Sequence, residues 1–350
     1  MREPAFWWGE AGVAAAMLAP LAAIYGAVAG ARLRQRGARA AVPVVCIGNF
    51  TVGGAGKTPA ALAVAAMLAA AGERPAFLTR GYGGRLTGPL QVDPSRHRAP
   101  DVGDEPLLLA RAALAGRGRG KSIVPTIVAR DRVEGAGMAV AAGASAIVMD
   151  DGFQNPSLAK DFSVLVVDAR RGIGNGRVIP AGPLRAPLPA QLARAHALVV
   201  VGTAAGAADV VRDARARDIP VFQARLRPDA GFIAARGNGR VLAFAGIGDP
   251  QKFFATLAEA GIAVAATRSF PDHHRYTRGE AQALCDDAAR ERLALVTTEK
   301  DLARIHGDDE LEQLAAHAHA LPVALAFAEE ESFRSLLLER LASARTKDIK

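Results

Sequence analysis

The chain has 350 residues, half of them hydrophobic and only 5% aromatic, which excludes global disorder and favours an α/β fold with two domains rather than one. The formal net charge of +8, carried mostly by arginine, favours an anionic partner without separating a nucleotide from a nucleic acid or an anionic membrane. The two cysteines, Cys46 and Cys285, exclude a disulfide framework and a cysteine-based metal site, and they fit a reducing compartment.

Residues 11–30 form an uncharged stretch with the length of a membrane-spanning helix. Ala and Gly, which are only weakly hydrophobic, make up more than half of the stretch, and Pro20 lies in its middle. Three interpretations remain open: a helix in or on the membrane surface, a true span, and a buried core helix. We favour membrane association.

The flanks of this stretch bear on its topology. Glu3 and Glu10 precede it, which argues against a cleaved secretory signal, while Trp7 and Trp8 are aromatic residues of the kind that favour the headgroup level. A basic cluster follows, and it predicts that the rest of the chain is cytoplasmic. The cluster consists of Arg32, Arg34, Arg36 and Arg39.

Short apolar runs then alternate with Ala- and Leu-rich stretches of helical length, which predicts strands separated by helices. The apolar runs are 42–47, 146–149, 164–167, 197–201, 241–245 and 293–296, and two clear helical stretches are 59–71 and 252–260. The runs lack strict alternation, so we expect strands buried on both faces of a mainly parallel sheet flanked by helices.

A turn-rich stretch at 225–240, with Pro228 and three glycines, has the composition of a connector. We therefore predict four parts of the chain. They are a membrane-associated helix with its basic flank at 1–40, a P-loop domain at 41–225, a linker at 226–240 and a smaller α/β domain at 241–350.

The sequence GNFTVGGAGKTP at 48–59 is similar to the phosphate-binding loop G-x-x-x-x-G-K-[ST], although Thr51 replaces the first glycine. The segment follows an apolar strand and opens a helix, where main-chain N–H groups can hold phosphates. The glycines admit the phosphates, Lys57 neutralises them, and the Thr58 hydroxyl is suited to Mg²⁺. The predicted nucleotide-binding residues are Thr51, Val52, Gly53, Gly54, Ala55, Gly56, Lys57 and Thr58.

The sequence AIVMDD at 146–151 ends an apolar strand with two carboxylates. Such a pair is equally typical of a turn, but beside a phosphate loop it is the expected magnesium partner. We predict that Asp150 and Asp151 bind Mg²⁺ together with Thr58, and that Lys57 and Asp150 take part in catalysis.

Two classes of nucleotide-binding protein fit poorly. A GTPase carries an Asn/Thr-Lys-x-Asp motif, whereas TTEKD at 297–301 has Lys300 and Asp301 adjacent. A partitioning ATPase carries an extra lysine where this chain has Val52.

Eight motifs occur in an order that resembles the tetraacyldisaccharide 4'-kinase family, which phosphorylates lipid A precursors. They are GNFTVGGAGKTP, TRGYGG at 79–84, GDEP at 103–106, DDGFQN at 150–155, NGRVIPAGPLR at 175–185, AGIGDPQKFF at 245–254, FPDHHRY at 270–276 and TTEKDLAR at 297–304. The resemblance spans nearly the whole chain. It implies an enzyme on the cytoplasmic face of the inner membrane that transfers the ATP γ-phosphate, with Mg²⁺, to the 4'-hydroxyl of tetraacyldisaccharide 1-phosphate, and it implies no nucleic-acid partner.

The same resemblance suggests a pair of residues that handle the proton of the hydroxyl. The Asp of GDEP, Asp104, corresponds to the proposed base, and it works with the His of the Asp-His motif, His273. His274 adjoins His273, so the histidine assignment is ambiguous by one residue. Glu105 is a further candidate for Mg²⁺.

Four residues are candidates for contact with the anionic disaccharide: Asn49, Arg80, Arg130 and Arg185. A guanidinium binds phosphate through a planar fork, which is why three of them are arginines. Without the motifs, each arginine is better explained as a surface residue or a structural ion pair.

Two positions depart from the family pattern: Ala186 replaces a Glu after PAGPLR, and Asn155 replaces a His after DDGFQ. The asparagine amide still forms hydrogen bonds but does not titrate near neutrality. We expect activity with an altered contact to substrate. Two alternatives remain: a membrane-associated P-loop NTPase that drives transport or assembly, and a nucleotide-sensing scaffold.

Overall fold

The computed structural model describes residues 3–115, 124–237 and 239–347, in which strands and helices alternate along most of the chain. The strands are β1 (Val44–Asn49), β2 (Pro75–Thr79), β3 (Leu90–Gln91), β4 (Thr126–Val128), β5 (Ala146–Asp150), β6 (Phe162–Asp168), β7 (Ala197–Val201), β8 (Val221–Pro228), β9 (Arg240–Ala245), β10 (Ala263–Ser269), β11 (Ala294–Thr298), β12 (Ala318–Leu321) and β13 (Val323–Phe327). The helices are α1 (Val13–Arg34), α2 (Lys57–Ala70), α3 (Ala99–Val102), α4 (Asp104–Ala115), α5 (Arg132–Ala141), α6 (Leu188–Leu192), α7 (Ala208–Arg215), α8 (Ala230–Arg236), α9 (Pro250–Glu259), α10 (Arg278–Glu291), α11 (Glu299–Ile305), α12 (Glu312–His317) and α13 (Glu330–Lys347).

The strands form two sheets. The nine-stranded sheet has the order β13-β8-β7-β6-β1-β5-β2-β4-β3, and the four-stranded sheet has the order β10-β9-β11-β12. In the larger sheet the strands from β8 to β4 are parallel, and only the edge strands β13 and β3 pair antiparallel. All pairs in the smaller sheet are parallel. The predicted fold, a mainly parallel sheet flanked by helices with a second smaller α/β part, is confirmed.

Strand β1 lies in the middle of the larger sheet, and every one of its residues is buried. Its side chains alternate between two hydrophobic cores: Val45 and Ile47 join the core on one face, and Val44 and Cys46 join the core on the other. Helices α2 and α13 contribute to the first core, and α5 and α7 contribute to the second. Burial on both faces explains why the strand reads as a continuous apolar run.

The chain returns to the larger sheet after completing the smaller one. Strand β13 pairs with β8, and Phe333 and Leu337 of α13 lie in a core of the larger sheet. We therefore propose that the second unit ends near Leu321 rather than at residue 350. The predicted linker at 226–240 also differs from the structure, because 226–228 complete β8 and Ala230–Arg236 form α8. Below, the large unit means the nine-stranded sheet with the helices and loops that pack on it, and the small unit means residues 240–321.

Helix α1 covers most of the uncharged stretch and is long and apolar enough, by length and composition alone, to cross a membrane. One face lies on the large unit, where Gly26 packs near Pro187 and Val178. The opposite face exposes large apolar side chains at helical spacing. These are Val13, Met17, Leu21, Ile24, Tyr25 and Val28, with exposed fractions between 43% and 77%.

The two tryptophans that precede α1 are bound to the protein itself. The indole N–H of Trp7 donates to the carbonyl of Pro180 at 3.0 Å, and that of Trp8 donates to Glu3 at 2.9 Å. Arg171 stacks on the Trp8 ring and also binds Glu3 at 3.1 Å. Trp7 therefore fastens the segment to the large unit directly, whereas Trp8 does so through Arg171, which contacts both its ring and Glu3. The interfacial role of the two tryptophans stays a prediction.

Candidate active site

The phosphate loop, residues 50–56, connects the carboxyl end of β1 with the first turn of α2. Gly53 and Gly56 have φ values of 88° and 93°, which only glycine adopts without strain. The amide of Asn49 donates to the Gly53 carbonyl at 3.1 Å and fastens the loop from below. The loop therefore presents main-chain N–H groups and the amino end of α2 at one point, as a phosphate requires.

Asp150 ends strand β5, next to β1, so its carboxylate lies under the phosphate loop. The Thr58 hydroxyl donates to Oδ2 of Asp150 at 3.3 Å, whereas Oδ1 is buried without a hydrogen-bond partner. Burial, reinforced by the nearby charge of Glu105, raises the pKa of Asp150 to about 7. A cation at Oδ1 would relieve both the missing partner and the charge repulsion.

Asp151 is held between two cations. Lys57 Nζ lies 3.7 Å from its Oδ1, and Arg185 binds both oxygens at 2.7 and 3.2 Å. Burial disfavours the charged form, but Lys57 and Arg185 outweigh it and hold the pKa of Asp151 below its usual range. The carboxylate is therefore ionised and keeps both cations beside the phosphate loop.

Asp104 and His273 are brought together across the two units. Asp104 begins α4 of the large unit, and its Oδ2 lies 3.3 Å from Nδ1 of His273. His273 follows β10 in the small unit with a φ of 54°, and its ring lies 5.4 Å from that of Tyr82. The hydrogen bond to Asp104 raises the pKa of His273 above its usual value.

The two adjacent histidines have different partners, which favours His273 as the functional one. His274, the neighbour of His273, binds Glu280 through Nε2 at 3.0 Å and stacks on Phe270 at 4.9 Å. Glu280 caps helix α10 with Thr277. His274 therefore belongs to the internal packing of the small unit, and His273 is the residue at Asp104.

Sequence reasoning missed two cations that helix α11 brings to this site. Lys300 donates to Glu105 Oε1 at 2.6 Å, and Arg304 Nε donates to Asp104 Oδ2 at 2.8 Å. Burial disfavours the charge on Asp104, but the bond from His273 and the charges of Arg304 and Lys300 hold its pKa well below the usual range. The motif TTEKDLAR could have indicated both cations, because Lys300 and Arg304 are spaced i and i+4 and so share one helix face.

The predicted substrate residues lie in three different settings. Arg185 is engaged by Asp151 and also donates to the Thr51 carbonyl at 2.9 Å. Arg80 and Arg130 have exposed side chains at the ends of β2 and of the segment after β4. Asn49 is buried, and its Oδ1 has no hydrogen-bond partner. Their contact with substrate stays a prediction.

The protein oxygens at this site are enough to bind Mg²⁺ only together with phosphate oxygens. Within residues 3–115, 124–237 and 239–347, no three His, Cys, Asp or Glu side chains are close enough to hold a metal ion by themselves. Mg²⁺ in phosphoryl-transfer sites is held by one or two carboxylates, water and the phosphates. The unpartnered Oδ1 of Asp150 and the Thr58 hydroxyl supply protein oxygens of that kind.

Comparison with known protein families assigns the chain that carries this site to a family. The chain matches the family model LpxK, tetraacyldisaccharide-1-P 4'-kinase, over residues 14–342. This chain belongs to the LpxK family.

Relatives of the LpxK family match along almost the entire chain. The tetraacyldisaccharide 4'-kinase of Bradyrhizobium sp. (strain BTAi1) is 52% identical over 347 residues, which are 99% of this chain and 97% of the relative. That of Nitrobacter winogradskyi is 50% identical over 348 residues, which are 99% of this chain and 100% of the relative. A crystal structure of LpxK from Aquifex aeolicus in complex with ATP has a TM-score of 0.69 and 26% identity, covering 93% of this chain and 99% of that one.

The two departures from the expected LpxK pattern occupy structural positions. Ala186 is fully buried, and its carbonyl accepts a hydrogen bond of 2.7 Å from Gln191. Asn155 accepts hydrogen bonds from the main-chain N–H and the hydroxyl of Ser157 at 2.8 and 2.7 Å. Asn155 therefore stabilises a turn, the usual role of an asparagine that bonds two residues ahead.

Proposed function

We propose that this protein is an ATP-dependent kinase that phosphorylates the 4'-hydroxyl of tetraacyldisaccharide 1-phosphate in lipid A biosynthesis. One observation carries the proposal beyond ATP hydrolysis. The Asp104–His273 pair adjoins Glu105, whose charge acts on Asp150 under the phosphate loop. A proton-accepting pair beside a γ-phosphate site is what transfer to a hydroxyl requires, and family membership supports it.

The residues around the phosphate loop bind and orient the nucleotide. The main-chain N–H groups of residues 53–58 hold the β- and γ-phosphates, and Lys57 neutralises them, whereas the N–H of Val52 donates to the Pro183 carbonyl at 3.0 Å. Thr58 and Asp150 would hold Mg²⁺, with Asp151 and Glu105 as the nearby carboxylates. When bound, Mg²⁺ offsets the negative charge that the phosphates accumulate during transfer.

His273 accepts the proton of the attacking 4'-hydroxyl at Nε2, while Asp104 stays ionised and orients the imidazole through Nδ1. The His273 side chain is 37% exposed, whereas that of Asp104 is only 5% exposed, so substrate approaches the pair from the imidazole side. Arg185, Arg80 and Arg130 provide positive charge for the phosphate of the disaccharide.

Helix α1 delivers the enzyme to the cytoplasmic leaflet of the inner membrane. The exposed apolar stripe from Val13 to Val28 supports attachment of the helix along the membrane surface, because its other face packs on the large unit. A tetraacylated substrate leaves the bilayer at a cost of about 0.8 kcal/mol for each exposed methylene, so the enzyme goes to the lipid.

The test uses purified full-length protein, γ-labelled ATP, Mg²⁺ and tetraacyldisaccharide 1-phosphate in mixed micelles. Thin-layer separation should show label in the lipid, and the Lys57→Ala variant should show much less. Label only in free phosphate would replace the kinase by an NTPase that lacks a lipid acceptor. No turnover with retained ATP binding would leave a nucleotide-sensing scaffold.

A further inference from the structure

We infer that Arg304 is a positioning residue that fixes Asp104 for phosphate transfer; the inference rests on the kinase function proposed above. Arg304 lies on α11 of the small unit, and Asp104 begins α4 of the large unit. Both Nε and Nη2 of Arg304 donate to Oδ2 of Asp104, Nε at 2.8 Å. The guanidinium thus reaches from one unit to the other and holds a member of the catalytic pair.

The orientation of the Asp104 carboxylate is fully determined by its donors. Oδ2 accepts from Arg304 and lies 3.3 Å from Nδ1 of His273, while Oδ1 accepts the main-chain N–H of Glu105 at 3.0 Å. Rotation of the carboxylate would break bonds on both sides. A planar guanidinium fork restrains such rotation more strongly than a lysine ammonium does.

Arg304 is itself anchored inside the small unit. Its Nη1 donates to the Gly246 carbonyl at 2.7 Å and to Oδ1 of Asp301 at 2.8 Å. Asp301 is fully buried and accepts three further kinds of donor: the Gly246 N–H at 3.1 Å, the Tyr276 hydroxyl at 2.9 Å and the Thr298 hydroxyl at 2.7 Å. Such a satisfied buried network is rigid, so the position of Arg304 is set before substrate binds.

The chemistry of the site gives this network a role beyond stability. The Arg304 side chain is only 9% exposed, so it acts on substrate through Asp104 rather than by contact. The small unit supplies both His273 and Arg304 to the same carboxylate oxygen. Asp104 therefore has its catalytic orientation only while the two units are docked together.

The experiment measures lipid phosphorylation by wild type, Arg304→Lys and Arg304→Gln, with thermal unfolding and ATP binding measured on the same samples. We expect turnover to fall by about 100-fold in Arg304→Gln, the size of effect typical of proton-transfer groups, with KM for ATP close to that of wild type. Arg304→Lys should recover part of the loss, because it keeps the charge but not the fork. Arg345→Gln is the matched control, since Arg345 binds Glu73 away from this site.

A second arm combines Arg304→Gln with His273→Ala. If Arg304 acts through the pair, the double variant should lose much less than the product of the two single losses. Full turnover in folded Arg304→Gln, or independent losses in the double variant, would overturn the inference. If Arg304→Gln does not fold, Arg304→Lys decides by the same criteria. Absence of labelled lipid from wild type would instead refute the kinase function, and the two failures remain distinct.

Discussion

Nζ of Lys57 lies 3.7 Å from Oδ1 of Asp151, at the mouth of the phosphate loop. The lysine ammonium is thereby held in place by a carboxylate where a phosphate is expected. Preorganised charge of this kind needs little rearrangement when the nucleotide arrives.

Replacing Lys57 by alanine should strongly reduce lipid phosphorylation while leaving the fold intact. The Lys57 side chain is only 7% exposed, but its ammonium contacts polar groups, Asp151 and, at 3.5 Å, the Gly53 carbonyl. Asp151 keeps its bond to Arg185 in the variant, so we expect the fold to survive. A loss of about 10²–10³-fold is typical when one preorganised charge donor is removed. The assay is labelled-lipid formation together with thermal unfolding.

The matched control for this lysine is Lys160→Ala. Lys160 donates to main-chain carbonyls, including that of Leu158 at 3.3 Å, and not to the phosphate loop. Its variant should retain turnover. Full activity of Lys57→Ala would remove the phosphate loop from the mechanism.

The Asp104–His273 pair should behave as one unit. Asp104→Ala and His273→Ala should each lower turnover by about 10²–10⁴-fold with a smaller effect on the apparent affinity for ATP. The double variant should cost much less than the two losses combined. Additive losses would show two independent roles, and wild-type turnover in Asp104→Ala would exclude Asp104 from the proton-handling pair. His274→Ala is the control for the neighbouring imidazole.

Asp150→Asn should stabilise the protein in the absence of ATP and Mg²⁺ while destroying activity. Burial raises the pKa of Asp150 to about 7, so the folded state retains a proton that the unfolded state loses from about pH 4 upwards. The contribution of Asp150 to the free energy of unfolding is therefore complete below about pH 4, falls as the pH rises and is lost once the pH passes the folded-state pKa of about 7. Asparagine cannot ionise, and it removes that fall.

The measurement for Asp150 is the unfolding temperature of wild type and Asp150→Asn at about pH 5 and about pH 8. The advantage of the variant should be a few degrees larger at the higher pH. Mg²⁺ with ATP should stabilise wild type but not the variant, because the cation favours the ionised carboxylate. An equal difference at both pH values would contradict the raised pKa.

Charges on the exposed face of α1 should release the protein from membranes. Met17 and Ile24 are 77% and 66% exposed, so Met17→Glu with Ile24→Glu adds charge without disturbing the packed face. Flotation with anionic liposomes should fall strongly, and ATP binding should persist. The control is Val133→Glu, which alters an apolar side chain on α5 that is 40% exposed. Equal flotation of the variant and wild type would mean that another surface binds the membrane.

Strands β1, β5, β6, β7, β9 and β11 were predictable because they are continuous apolar runs, as at Ala197–Val201, where prediction and structure coincide, whereas the other strands were not predicted. The end of β8 was not predictable. Its alternating burial and Pro228 resemble a connector, and the residues form a strand only because β13, far along the chain, pairs with it. Local composition gives no information about a pairing strand so far along the chain.

Within the site, the phosphate loop and the Asp150–Asp151 pair could be predicted from local spacing. Arg304 could not, because it meets Asp104 across 200 residues of sequence and its role depends on how the two units dock. The adjacent histidines, His273 and His274, are chemically identical in sequence. Only the fold directs one to Asp104 and the other to Glu280.

Under the membrane attachment proposed above, the packing of α1 on the large unit sets how the enzyme faces the bilayer. A helix joined to its protein by a loose tether would let the body swivel about the helix axis. Here the packing of Gly26 near Pro187 and the hydrogen bond from Trp7 to Pro180 oppose that rotation. The candidate active site then keeps one height and one orientation relative to the lipid headgroups. The site is then already oriented toward a sugar at the membrane surface. The entropy cost of orienting enzyme and membrane is therefore met once, at membrane binding, and not at each turnover.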